Sequence, residues 1–344
     1  MNNRMRNSNF TNTINVGLYS GKKIILILAM GFEDRNIAII EKIKTASLSI
    51  KKIILLDYKN KNANEPMRSD IIKKSNIISK SIEIIETNEL SKIENHLKDN
   101  DKVIIDISGM TRIIIFQVLN ILDRMGIFYD IVYTEAETYF PLESFYDSLT
   151  ADGVNKETAF SRYLEREKAE FAYSYDCDII SPDELSGKPE PGKPAMIISF
   201  FTFKRSRLQA ILQLLEVEKK IFILSEPVRP ELKWRRHFME IANLDLIQKN
   251  EPDIKILNTL NPFDVMHYLE EKTYKNKDYS RYNLILAPLG SKMQTIGSYF
   301  YWRKHPEITV LFSQPRSYFK DAYSKSYKET FIVTSEIIKE NLKC

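Results

Sequence analysis

The motif best suited to hold a ligand is Asp106-Ile107-Ser108-Gly109-Met110-Thr111-Arg112, at the end of a short apolar run and the start of an amphipathic stretch. Gly109 permits a tight turn or a close backbone approach. The helix expected to follow offers unpaired N–H groups and the positive end of its dipole, which suits a phosphate or carboxylate. Ser108, Thr111 and Arg112 add donors. A purely structural reading of the same residues makes Ser108 or Thr111 an N-cap and Asp106 a buried turn acceptor.

Two further polar clusters follow apolar runs: Gly31-Phe32-Glu33-Asp34-Arg35 and Thr134-Glu135-Ala136-Glu137. Glu33 and Glu135 are the candidate catalytic carboxylates, with Glu137 beside them. A carboxylate next to a bound ribose stabilises an oxocarbenium-like transition state. Asp34 and Arg35 are candidate ligand contacts. The structural alternative pairs Arg35 with its acidic neighbours. In the second half, Gly290-Ser291-Lys292 repeats the run-Gly-helix arrangement, and Lys292 would meet a phosphate as a point charge. This is not a P-loop, because the G-x-x-x-x-G-K spacing is absent. Lys204, Arg205, Arg207, Arg229, Arg235 and Arg236 make that half basic where the first is acidic, or form a solvated face. Trp234 is suited to stacking on a base or to half-buried packing. His237 and His267 read as packing or surface residues, and Tyr139-Phe140 and Tyr318-Phe319 as packing pairs.

These residues need elements to place them. Short Ile/Val/Leu runs at 24–28, 53–56, 82–85, 103–107 and 130–133 read as strands. Amphipathic stretches at 36–44, 67–80, 89–98 and 111–124 read as helices between them. Apolar strands alternating with helices imply a parallel sheet covered on both faces. Ligands then lie beyond the carboxyl ends of the strands, where the polar clusters fall. The second half repeats the pattern: strands at 196–201, 221–224, 284–287 and 309–312, helices at 208–215, 233–244, 294–302 and 331–342. Residues 155–176 read as one helix, and Ser181-Pro182-Asp183-Glu184 as a capping box. The expected fold is therefore α/β, with two Rossmann-like domains. The boundaries are a disordered tail (1–21), domain one (22–150), a helical connector with a Pro/Gly-rich linker (151–194) and domain two (195–344). Residues 104–109 align with 285–290, 132–140 with 311–319, and Leu56-Asp57 with Ser225-Glu226, which points to an internal duplication.

The Asp106–Arg112 segment resembles the Asp-x-Thr-Gly-Gly-Thr-Lys motif of CARF domains, the CRISPR-associated Rossmann-fold sensors. In this chain Met110 stands at the second glycine and Arg112 at the lysine. Bulk at Met110 would oppose close backbone approach to a ligand. The resemblance, over residues 22–140, implies binding of cyclic oligoadenylates and a place in bacterial antiviral defence. No HEPN or PD-(D/E)xK nuclease motif accompanies it.

With 50 basic and 46 acidic residues the chain is too balanced for a dedicated nucleic-acid binder. Ten glycines in 344 residues exclude collagen-like and Gly-rich linker classes. Cys177 and Cys344 form no C-x-x-C, and the four histidines are scattered, so neither metal nor cofactor is expected. Isolated cysteines suit a reducing cytoplasm. The apolar run 24–32 is nine residues, which fits a first strand better than a signal peptide or a membrane span. The first functional reading is a sensor of a nucleotide or cyclic oligonucleotide, with room for a homodimer and a protein partner encoded nearby. Two rivals are a hydrolase of a nucleotide or N-glycosidic bond, and a regulatory or scaffold subunit.

Overall fold

The computed structural model describes residues 19, 22–31, 33–58, 65–99, 101–171, 177–250, 252–316 and 324–343. The expected tail (Tyr19 excepted), Phe32, Tyr318-Phe319 and Cys344 lie outside the described residues. The chain divides into two compact units, Met1–Phe140 with Lys320–Cys344, and Pro141–Phe319.

The first unit holds β1 (Ile24–Ala29), α1 (Ala38–Thr45), β2 (Ile50–Asp57), α2 (Glu65–Ile78), β3 (Ile82–Glu86), β4 (Lys102–Asp106), α3 (Arg112–Arg124), β5 (Tyr129–Thr134) and β6 (Thr138–Tyr139). Its central strands are buried along their whole length: all six residues of the apolar β1 and all five of β4, whose Val-Ile-Ile centre is flanked by Lys102 and Asp106. Each fully buried Ile or Leu contributes about 1.5–3 kcal/mol.

The second unit holds α4 (Glu143–Thr150), α5 (Lys156–Phe171), β7 (Cys177–Ile180), β8 (Ala195–Phe200), α6 (Ser206–Leu214), β9 (Lys219–Glu226), α7 (Trp234–Ala242) and α8 (Leu244–Asn250). It continues with β10 (Asp253–Asn258), α9 (Pro262–Lys272), β11 (Asn283–Ala287), α10 (Lys292–Lys304), β12 (Thr309–Val310) and β13 (Phe312–Pro315). The chain then returns to the first unit with β14 (Ser324–Lys325), β15 (Thr330–Val333) and α11 (Ser335–Lys343).

The first sheet has the order β15-β5-β4-β1-β2-β3, parallel except for β15. The second has β10-β9-β8-β11-β12, all parallel. In each, the first strand is central, the next two build one way, and the fourth and fifth build the other. The switch point therefore lies between β1 and β4 in one sheet and between β8 and β11 in the other. These are two Rossmann-like α/β sheets.

Several elements depart from the sequence reading. The helix expected at 331–342 begins as β15, which pairs antiparallel with β5 of the first sheet rather than closing the second domain. The β-branched Thr330, Ile332 and Val333 are buried in this strand, and Asp130 fixes the start of α11 by accepting the Ser335 N–H at 2.7 Å. The Pro/Gly-rich stretch lies inside the second unit: Lys188 N–H bonds Glu307 O, and the Asn283 amide bonds Glu190 O and Lys193 O. Its prolines and glycines make turns at the amino end of the second sheet instead of a boundary. Residues 89–98 form a 3-10 stretch, Leu90–His96. The expected capping box at 181–184 is a 3-10 turn with no side-chain cap. The run 309–312 splits into β12 and β13. β10 carries no continuous apolar run and escaped the reading, since it is an edge strand with Ile254 and Ile256 exposed.

Candidate functional site

The carboxyl ends of β1 and β4 carry two of the polar clusters. Their turns meet closely. A Cβ on Gly31 would sit 2.6 Å from Asn36 Nδ2 and 3.0 Å from Gly109 O. A Cβ on Gly109 would sit 2.8 Å from Ala29 O and 2.8 Å from Asn36 Oδ1. The glycines thus let the two turns and the Asn36 amide share one small space. Asn36 is 1% exposed, and neither of its amide atoms has a hydrogen-bond partner. A buried polar group in that state is rare. Sequence reading placed Asn36 only as the start of a helix. The signal that would have found it is a polar residue on the inward face of the turn after the first strand.

Asp106 and Ser108 bond each other at the end of β4. Ser108 donates its N–H and hydroxyl to Asp106 Oδ1 at 2.9 and 2.5 Å, and its Oγ accepts the Thr134 N–H at 2.8 Å. This ties the end of β4 to the end of β5. Thr111 is the N-cap of α3 by backbone only, with no side-chain cap bond. Its N–H goes instead to the Tyr58 hydroxyl at 2.9 Å, and that hydroxyl donates to Gly109 O at 3.1 Å. Tyr58, just past β2, was not foreseen. Arg112 opens α3 and is half-buried. Met110 is 1% exposed, so its bulk is spent in the interior.

Arg35 is buried under the end of β5. It donates to Tyr133 Oη and Thr134 O, both at 3.2 Å, and its Nη2 donates to both Glu33 oxygens at 3.1 and 2.9 Å. Burial opposes its charge, but Glu33, Tyr133 and Tyr139 together outweigh that and hold the guanidinium above its ordinary value. Ser324 also donates to Glu33, and the Ser326 N–H bonds Asp34. Tyr133 and Tyr139 share a hydrogen bond at 3.2 Å, and burial pushes both phenols up, so both stay protonated. Glu135 is buried at the end of β5, where its backbone pairs with Lys328 and Glu329; Glu137 is exposed. At the end of β2, Arg68 clamps Asp57 through Nε and Nη2, the latter at 3.0 Å.

In the second unit, Ser291 and Gln294 form the capping box of α10. Gln294 Oε1 also accepts from Ser225, and its amide donates to Asn258 O. Gly290 is buried against Phe200 and Gln294. Lys292 is half-buried on the first turn of α10. The chain's own side chains thus occupy this helix start. Arg236 pairs with Glu226 at 2.9 Å and Arg229 with Glu231 at 2.9 Å. Arg235 donates to Pro141 O and lies over the Phe203 ring at 4.4 Å, and Trp234 stacks on Tyr146. A cavity of about 630 Å³ lies at the amino ends of β8 and β9, away from the switch point. No group of metal-binding side chains occurs among the described residues, nor does any helix there have the length and apolarity to cross a membrane.

No protein-family model matches the chain, and no curated protein matches it. It is similar to a solved Type III CRISPR defence DNA nuclease activated by cyclic oligoadenylate, at 8% identity and a TM-score of 0.49, over 81% of this chain and 63% of that one. It is also similar to the cytoplasmic domain of a prokaryotic cation chloride cotransporter, at 8% identity and 0.24, over 86% and 95% of the two chains. A third similarity is to Haemonchus contortus phosphoethanolamine N-methyltransferase 1, at 8% identity and 0.20, over 90% and 87%. At these identities and scores none of the three bears on what this chain binds.

Proposed function

We propose that the chain is a sensor of a nucleotide-type ligand, held at the carboxyl ends of β1 and β4 in the first unit. The observation that carries this is the partnerless Asn36 amide, seated at the switch point where doubly wound sheets take their ligands. An amide offers both a donor and an acceptor, as the edge of a nucleobase does. The Gly109 turn beside it leads into the start of α3, whose N-terminal end suits a phosphate. The motif resemblance at Asp106–Arg112 selects cyclic oligoadenylates as the first candidates, with antiviral defence as the setting. Glu33, engaged by Arg35 and Ser324, has the part of an anchor for Arg35 rather than of a free acid or base.

A thermal-shift panel on the purified full chain tests the reading. The panel holds NAD, ATP, nucleoside phosphates, cyclic dinucleotides and cyclic oligoadenylates. One nucleotide class should raise the midpoint, since ligand at 100 times its Kd adds about 2.7 kcal/mol. No rise with any member would overturn the proposal. Product formation lost in Glu33→Gln or Glu135→Gln, with binding kept, would replace the sensor by a hydrolase.

A further inference from the structure

Four arginines are buried among the described residues: Arg35, Arg205, Arg207 and Arg235. Three have acceptors. Arg35 has Glu33, Arg205 has Asp245 and Glu167, and Arg235 has the Pro141 carbonyl. Arg207 is only 6% exposed, yet its Nε and Nη2 have no hydrogen-bond partner, and no ion pair reaches it among the described residues. A guanidinium cannot shed its proton to escape this. A buried charge without a counter-charge is among the costliest arrangements in a folded chain.

The two orphaned atoms form one edge of the guanidinium. This is the edge by which Arg68 holds the Asp57 carboxylate, a two-donor fork that fits the oxygens of a carboxylate or phosphate. Arg207 lies on the first turn of α6, directly after β8, the strand at the switch point of the second sheet. It is two residues past Arg205, about 200° around a helix of 3.6 residues per turn, so it faces away from the acids that hold Arg205. α6 packs against β7 and β13. Two hydroxyls of this unit are also buried without partners: Thr202 on the β8–α6 connection and Ser313 on β13. The first-turn N–H groups of α6 favour negative charge at the same end.

The structure assigns to the second unit an oxyanion site for a phosphate group, anchored by the Nε–Nη2 edge of Arg207, with Thr202 and Ser313 as further donors. It is separate from the crevice at Asn36 and does not depend on the sensor reading. The phosphate is either free or carried by a nucleotide.

The experiment is thermal melting of the full chain with inorganic phosphate, against chloride at matched ionic strength. The wild-type midpoint should rise saturably with phosphate beyond the chloride control. In Arg207→Met the rise should vanish. In phosphate-free buffer that variant should melt at or above the wild type, because an unpaired charge has been replaced by an apolar chain of similar length. Arg207→Lys keeps the charge but not the fork, and should raise the half-saturating concentration at least tenfold. Asn36→Ala should leave the phosphate effect unchanged. Adenosine monophosphate acting at lower concentration than phosphate, still through Arg207, would identify a nucleotide as the source; equal concentrations would identify free phosphate. An unchanged rise in Arg207→Met, no rise in the wild type, or a midpoint several degrees lower for Arg207→Met in phosphate-free buffer would each overturn the assignment.

Discussion

A buried polar group without a hydrogen bond costs about 1–3 kcal/mol, and Asn36 carries two such atoms. Removing the amide therefore sacrifices no protein hydrogen bond. Asn36→Ala should leave the melting midpoint of the free chain unchanged or higher while weakening the ligand at least tenfold by calorimetry. A drop of several degrees would mean that the amide is bonded in solution. Gly109 has the opposite character. A Cβ there meets the Ala29 carbonyl oxygen at 2.8 Å, and backbone does not yield as a side-chain tip does. Gly109→Ala should cost about 1–3 kcal/mol in chemical denaturation and abolish binding as the turns separate. The sequence offers Gly109 as a turn glycine, Asp106 as a turn acceptor and Ser108 as an N-cap, each with ligand contact as the alternative; Ser108 instead bonds Asp106 and Thr134, and Thr111 stands at the cap. The sequence left open whether they face a ligand or each other, because that depends on a partner 26 residues away, Thr134.

At the scale of elements, α3 is positioned by Tyr58 rather than by a cap from its own sequence. Tyr58→Phe removes one donor and one acceptor from the turn at Gly109 and Thr111. It should lower stability by about 1–2 kcal/mol, read as a shift of a few degrees in the melt. Glu41 on α1 tests the docking of the returning C-terminal segment. Hydrogen bonds from Tyr327 and Lys74 hold its carboxyl below the usual carboxylate range. A carboxyl lowered on folding stabilises above its unfolded pKa, about 4.3, and loses that contribution as pH falls through the folded value. Melts from pH 7 to pH 3 should therefore show a smaller acid loss in Glu41→Gln than in the wild type. The exposed position limits the difference to under about 1 kcal/mol. The central strands of both sheets, β1, β2, β4, β5, β8, β9 and β11, were legible because each holds a run of buried apolar residues. The two-residue strands β6 and β14, the edge strands β10 and β15 and the 3-10 turns were not, since tertiary contacts rather than local pattern define them.

For the whole molecule, the two sheets share one strand order. The segments aligned in the sequence, 104–109 with 285–290, fall on the fourth strand of each. Acid–arginine pairs also recur past the second strands, Asp57 with Arg68 and Glu226 with Arg236. That order is common to doubly wound sheets, so it does not by itself show a duplication. The chain's return to its first unit was illegible, because nothing in Thr330–Val333 says which sheet it joins. It has a consequence for truncation. A chain ending at residue 319 lacks β15, exposes the edge of β5 and leaves Asp130 and Lys102 without Ser335. Such an uncovered edge invites aggregation. The truncated chain should lose the cooperative melt of the first unit, as followed by calorimetry; an intact transition would show that the segment is dispensable.

The central claim is that the switch point of the first sheet binds a nucleotide-type ligand through Asn36. The most direct test is isothermal titration of the wild type and Asn36→Ala with cyclic oligoadenylates and the other nucleotides. The predicted result is saturable binding by the wild type and at least tenfold weaker binding by a variant that melts no lower. Equal affinity in the two proteins, or no heat from any nucleotide with the wild type, would contradict it.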